Sequence, residues 1–202
     1  STQYLRTLPS DRSTLLTRYR LLDAARKVVG VGSVGTETYI ALLMGARDDD
    51  PLFLQVKQAT TSVLAHYAGA ASTLDNQGQR VVEGQRLMQA TGDPFLGWLA
   101  GPRTGDPDFY VRQLRDMKGS VDTAALHPDE LRGYAQLCGG VLARAHARSG
   151  NPAEIAGYLG QNETFDRAIV SYATAYADQT EKDWRALSDA VRARRVTAVS
   201  GV

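Results

Sequence analysis

A glycine-rich segment followed by a lysine is the feature of this sequence most suited to chemistry. Three glycines have the spacing G-x-G-x-x-G, at Gly30, Gly32 and Gly35, and Lys57 ends the strand-like run Phe53–Val56. Glycines let a backbone approach phosphate oxygens closely and aim N–H groups at them, while a lysine supplies a mobile point charge. The pattern therefore predicts a site for a nucleotide.

The residues after the last glycine distinguish two architectures. In a dinucleotide-binding unit the third glycine opens a helix, whereas here Thr36–Ile40 is rich in β-branched and aromatic residues and predicts a strand. A kinase-type phosphate clamp has the order strand, glycine turn, strand and then a lysine on the next strand. This sequence has that order, with Lys57 22 residues after Gly35. A glycine-rich hairpin with an exposed lysine is the alternative without a ligand. The residues predicted to contact the nucleotide here are Gly30, Val31, Gly32, Ser33, Val34, Gly35 and Lys57.

A kinase-type lysine requires an acidic partner, normally on the following helix. The segment Asn76–Ala90 predicts that helix, with Asp75 or Asn76 as its cap, and Glu83 is its only acid after the cap. We therefore expect Glu83 to hold and orient Lys57. The alternative is an ordinary surface pair of Glu83 with Arg80 or Arg86, within reach of one helical turn.

Composition narrows the function classes. The 23 basic and 22 acidic residues nearly balance, so neither nucleic acid nor an anionic membrane is expected as a partner. The single Cys138 excludes an intramolecular disulfide and fits a reducing, cytoplasmic compartment. No apolar run reaches membrane-spanning length and no signal peptide is present. Because the sequence begins at Ser1 and not at a methionine, we expect a processed or partial polypeptide.

The remaining pattern predicts an α+β fold. Apolar spacing predicts a leading helix over Ser10–Lys27, and Phe95–Ala100 and Phe109–Leu114 read as strands. With the glycine hairpin and the Lys57 strand, these make about five strands with one inserted helix, the composition of a kinase-like small antiparallel lobe.

Helices are predicted beyond the β-rich region. One covers Pro128–Arg148, and one or two more lie within Phe165–Arg195, with a core stripe of Phe165, Ile169, Tyr172 and Tyr176. We expect a leading segment over 1–27, the small lobe over 28–118 and a helical portion over 119–202.

Two segments resemble kinase motifs without matching them. His127-Pro128-Asp129 resembles a kinase catalytic loop but suits a helix start, and Asp108-Phe109 is followed by a tyrosine and is no D-F-G motif.

The residues also resemble a known family. Over nearly its whole length the chain is similar to the bacterial family catalogued as domain of unknown function 2252. The similar segments are Ala24–Thr36, Pro51–Lys57, Gln85–Gln89, Phe109–Gly119, Leu142–Gly150 and Tyr176–Thr180. The resemblance implies a protein-kinase-like superfamily member without an established substrate.

The resemblance also implies what this sequence lacks. Members of the family are about twice as long, and their first half carries G-D-x-H-x-x-N-F-G and N-D-F-D-E motifs, as in a circularly permuted kinase. This chain resembles the second half, so the missing first half is an expected partner and turnover by this chain alone is not expected.

We therefore expect the complete protein to bind ATP together with Mg and to transfer a phosphoryl group to a small-molecule acceptor. The ligands of the Mg ion are expected outside this chain. Gln113 and Leu114 are expected to lie at the adenine edge as a hinge. The competing hypotheses are a nucleotide-binding pseudoenzyme or interaction module and, third, a dinucleotide-binding oxidoreductase.

Overall fold

The structure is a computed structural model that describes residues 2–27, 35–68, 73–101, 103, 105–115 and 119–198. It is a mixed α+β structure with two compact units, Ser1–Ser149 and Gly150–Val202. The first unit contains a five-stranded sheet, and the α+β prediction is confirmed at this level.

The sheet is antiparallel throughout, with the strand order β1-β2-β3-β5-β4. The strands are β1 (Arg20–Arg26), β2 (Thr38–Met44), β3 (Pro51–Ala59), β4 (Gly97–Leu99) and β5 (Asp108–Gln113). The strands predicted after Gly35, before Lys57, near Phe95–Ala100 and at Phe109–Leu114 are thus confirmed. A strand and not a helix follows Gly35, as the kinase-type order requires and a dinucleotide-binding unit does not.

Seven helices accompany the sheet in the described part of the chain. They are α1 (Thr2–Thr7), α2 (Ser10–Leu16), α3 (Ala65–Ala68), α4 (Gln77–Met88), α5 (Pro128–Ser149), α6 (Pro152–Leu159) and α7 (Thr164–Arg192). The predicted helices over Asn76–Ala90, Pro128–Arg148 and Phe165–Arg195 are confirmed, while α1, α3 and α6 were not anticipated.

One prediction about the leading segment is wrong in part. The helix expected over Ser10–Lys27 ends at Leu16, and Arg20–Arg26 is a strand that pairs with β2. At the end of α2 the backbone N–H of Thr17 donates to Ser13, and the chain then turns. The apolar residues that suggested one helix belong to two elements, and every residue of β1 is exposed on the sheet edge, so no alternating pattern marks it.

The core lies on one face of the sheet, beneath α1 and α2. Tyr4 of α1, Leu16 of α2 and Leu8 between the two helices pack on side chains of β2, β3 and β5. The Tyr4 hydroxyl donates to the carbonyl of Phe95, and burial together with Asp93 raises its pKa. This layer fixes the sheet and leaves its other face for α4 and the site described below.

Helix α4 is anchored at its first turn. Of the two predicted cap candidates, Asn76 caps the helix: its side chain accepts from Gln79 N at 2.8 Å. Asp108 on β5 accepts from Asn76 Nδ2 at 2.6 Å and from Gln77 N at 2.7 Å. Two hydrogen bonds to one carboxylate therefore tie the helix start to the strand.

The helices after the sheet carry exposed apolar side chains. The predicted stripe of α7 lies on one helix face, and Tyr172 and Tyr176 stack with centroids 5.6 Å apart. It is not a core stripe, however, because Ile169, Tyr172 and Tyr176 are exposed. Among the described residues, no helix is both long enough and apolar enough to cross a bilayer.

Candidate functional site

The face of the sheet opposite α1 and α2 holds a row of polar side chains around Lys57. The strand register places Thr38, Lys57, Tyr110 and Trp98 side by side on β2, β3, β5 and β4. Because directly paired residues of antiparallel strands project on the same face, these four share one face, which we call the lysine face. The next row along the same face is Ile40, Gln55 and Arg112.

Lys57 lies on this face, and the residues that the structure describes provide it with no counter-ion. Its side chain is half-buried, and the described residues place no carboxylate within 4.0 Å of its ammonium. Burial lowers the pKa of Lys57, and the positive charge of Arg112 lowers it further. A partly desolvated cation next to a second cation is an electrostatic environment suited to an anion.

Arg112 is the second cation of the lysine face. Its Nε donates to Gln55 Oε1 at 3.0 Å, and Gln55 is only 3% exposed. This is the one side-chain hydrogen bond that the described residues give the guanidinium, so its remaining N–H donors are available. Gln55 therefore fixes the guanidinium and contributes no charge to neutralise it.

A buried hydroxyl adjoins Lys57 on the strand that follows the glycines. Thr38 is 1% exposed, and within the described ranges its Oγ1 has no hydrogen-bond partner. An unpaired buried hydroxyl costs about 1–3 kcal/mol of stability. The fold therefore retains an unsatisfied polar atom directly beside the lysine.

The glycine-rich segment Gly30–Gly35, which we call the glycine loop, precedes β2 in the sequence and leads into the same row. It joins β1 to β2, and Gly35 has a φ of +79°, a conformation that favours glycine. Thr38, the first residue of β2, is the direct partner of Lys57, so the end of the loop lies next to the lysine row. The predicted contacts at Gly30, Val31, Gly32, Ser33 and Val34 fall outside the described residues.

Glu83 is not within ion-pair distance of Lys57. It is 47% exposed at the side chain and lies 3.9 Å from Arg86 Nη1, the surface alternative considered above. Arg86 in turn donates to the carbonyls of Thr7 at 3.0 Å and Leu96 at 2.7 Å, and its guanidinium lies 5.7 Å from the Trp98 ring centre. The helix predicted to supply the partner is thus present, but the pair itself is not formed.

The two hinge candidates use their backbone donors inside the fold. Gln113 N donates to Asp93 Oδ2 at 2.9 Å, and Leu114 N donates to the Phe53 carbonyl at 2.9 Å. Neither N–H is available for a nucleobase in this arrangement.

The imitation of a catalytic loop is a helix start. His127 N donates to Glu130 Oε2 at 2.8 Å, and Asp129 pairs with Arg132 at 2.7 Å, both at the first turn of α5. Within the described ranges no three His, Cys, Asp or Glu side chains gather in a group that could hold a metal ion.

Sequence reasoning missed Thr38 and Arg112. Alternation along β5 could have placed Arg112 on one face with Tyr110, since they are two residues apart. Only the register of β5 against β3, however, brings Arg112 next to the row of Lys57.

The fold and site define a mixed α+β protein whose antiparallel sheet has a core face and a cationic face. The chain belongs to the family described as "Uncharacterized protein conserved in bacteria (DUF2252)", whose family model matches residues 1–190. No curated protein and no solved structure matches the chain.

Proposed function

We propose that this protein binds the phosphates of ATP on the lysine face and that the complete protein transfers a phosphoryl group to a small molecule. The observation that carries the proposal is Lys57, a half-buried cation on the third strand to which the described part of the chain offers no counter-ion. The glycine loop would supply backbone N–H groups to the phosphates, and Lys57 would neutralise their charge.

The order of the elements supports a kinase-like reading. A glycine loop lies between the first two strands, the lysine lies on the third, and α4 precedes the last two. Kinase-type phosphate sites use the same order of loop, third-strand lysine and helix. Magnesium would neutralise part of the phosphate charge when bound. We propose that its ligands and the acceptor site belong to a complementary first half of the protein, outside these 202 residues. We also propose that the complete protein is cytoplasmic.

A second candidate is a nucleotide-binding module without catalysis. The ion pair of Glu83 with Arg86 favours it, because kinase-type transfer requires the lysine to be held by its glutamate. A catalytic protein would have to move Glu83 from Arg86 to Lys57 when nucleotide binds. Formation of ADP together with a phosphorylated acceptor by the complete protein would distinguish the enzyme from the module.

The binding proposal predicts a thermal shift that depends on Lys57. MgATP at about 100 times its dissociation constant stabilises a protein by about 2.7 kcal/mol, which raises its Tm by several degrees. We expect this shift in the wild type and its loss in Lys57→Ala. Scanning fluorimetry of the complete protein measures both.

Lys182→Ala is the matched control for this experiment. Lys182 is an exposed lysine on α7, so its replacement removes the same charge and should leave the shift unchanged. A folded wild type without any shift contradicts ATP binding. An equal shift in the wild type and Lys57→Ala contradicts the placement of the nucleotide on the lysine face.

A further inference from the structure

The lysine face contains more positive charge and more unused donors than a single lysine provides. We propose that Arg112 and Thr38 join Lys57 in a polyanion site, in which the two cations contact different phosphates of one triphosphate chain. The inference rests on the proposed function for the identity of the nucleotide. The polyphosphate part of the ligand depends only on the placement of these three residues.

The placement of Arg112 suits a ligand longer than one phosphate. Arg112 is opposite Gln55 and diagonal to Lys57 on the neighbouring strand. Diagonal neighbours in an antiparallel pair have side chains about 7–8 Å apart at their bases, within reach of two long cations that share an extended anion. The Gln55 hydrogen bond at 3.0 Å holds Nε, which leaves the outer N–H groups for phosphate oxygens.

The local electrostatics favour a compensating anion. Lys57 and Arg112 repel each other, and the described residues offer neither of them a carboxylate within 4.0 Å. Asp108 lies on the same face, but its oxygens accept from Asn76 and Gln77. A polyanion bound between the two cations would offset their repulsion and their loss of hydration.

Thr38 supplies the observation that is independent of charge. Its hydroxyl is almost fully buried beside Lys57, and no described group accepts from it or donates to it. A phosphate oxygen bound at Lys57 would accept this hydrogen bond. The ligand thus explains why a hydroxyl occupies a place where valine, of similar shape, would avoid an unpaired polar atom.

Calorimetric titration of the complete protein with inorganic tripolyphosphate, and separately with MgATP, tests the inference. We expect Arg112→Gln to weaken tripolyphosphate binding by at least about tenfold, because a charge-assisted pair is lost. Arg20→Gln is the control: it removes the same charge from the exposed edge strand and should change affinity less than twofold. Arg112→Lys keeps the charge without the planar fork and should give an intermediate loss.

The variant Thr38→Val distinguishes a ligand contact from a purely structural role, because it is expected to change stability and affinity in opposite directions. We expect it to raise the Tm of the ligand-free protein by about 2–4 °C, since it removes an unsatisfied hydroxyl, and to weaken tripolyphosphate binding about three- to tenfold. The opposite signs of the two effects identify a ligand contact. A variant that gains stability and keeps full affinity excludes Thr38 from the site.

The outcomes separate this inference from the proposed function. Tripolyphosphate binding that depends on Arg112, without binding of MgATP, supports the polyanion site and overturns the nucleotide function. MgATP binding that needs Lys57 but tolerates Arg112→Gln supports the function and overturns the inference. A folded wild type that binds neither ligand overturns both, and points to a carboxylate from elsewhere in the complete protein as the group that neutralises the two cations.

Discussion

Gly78→Ala is expected to destabilise the protein by about 3 kcal/mol, the upper end for an overpacked site. A Cβ at Gly78 would lie 2.1 Å from the carbonyl oxygen of Phe109 and 2.7 Å from its carbon. Both atoms are backbone atoms of β5, so no side chain can rotate away, and α4 must move off the strand. Thermal unfolding followed by circular dichroism should show a Tm lower by about 6–12 °C.

Gly84→Ala is the matched control, because it makes the same substitution in the same helix. The nearest atom to a Cβ there is the end of the Met88 side chain at 3.8 Å, an ordinary contact. Alanine is the better helix former by about 0.8–1 kcal/mol, so this variant should be more stable than the wild type. Equal effects at the two glycines would show that helix propensity, and not the contact with β5, decides the cost at Gly78.

The second large effect is expected at Arg86, whose replacement by alanine should cost about 3 kcal/mol. Arg86 donates to the Thr7 and Leu96 carbonyls and lies beside the Trp98 ring, so it links α4 to α1 and to the segment before β4. Hydrogen bonds from a charged donor contribute about 1.5–3 kcal/mol each, and alanine leaves two carbonyls without their partner. Urea denaturation monitored by tryptophan fluorescence measures the loss.

The variant Glu83→Gln distinguishes the contribution of the ion pair to stability from that of the Arg86 hydrogen bonds. The carboxylate of Glu83 lies 3.9 Å from Arg86 and is about half exposed, so the pair should contribute less than about 1 kcal/mol. If Glu83→Gln costs as much as Arg86→Ala, the exposed ion pair and not the two carbonyl contacts anchors the helix. If Glu83 serves Lys57 in the nucleotide-bound state, the same variant should instead weaken the response to MgATP.

Local signals predicted those parts of the fold that depend on neighbouring residues. The β-branched residues after Gly35 and the apolar run before Lys57 predicted β2 and β3, and a polar cap at Asp75 or Asn76 predicted the start of α4. Each of these features is decided by backbone preference or by a cap within one turn. Together, the predicted strands placed Lys57 on the third strand.

The rest of the site depends on pairing over long distances in the sequence. Arg112 reaches the lysine face only through the register of β5 against β3, and β1 becomes a strand only because it pairs with β2. Glu83 pairs with Arg86 within α4, whatever the rotation of the helix, but whether Glu83 can also reach Lys57 depends on how α4 is rotated about its axis. That rotation is fixed by the contact of Gly78 with Phe109, which no pattern in the helix reveals.

The exposed edge of the sheet has a consequence for solubility. Strand β1 is an edge of the sheet, and an unpaired edge can recruit a strand from another molecule and begin aggregation. Arg20, Asp23 and Arg26 place charges along this strand, and the register shifts between Leu21 and Asp23. Charges and an irregular register both oppose intermolecular pairing. The protein therefore protects the strand that enters its glycine loop from self-association, and replacing these charges with apolar residues would favour aggregates.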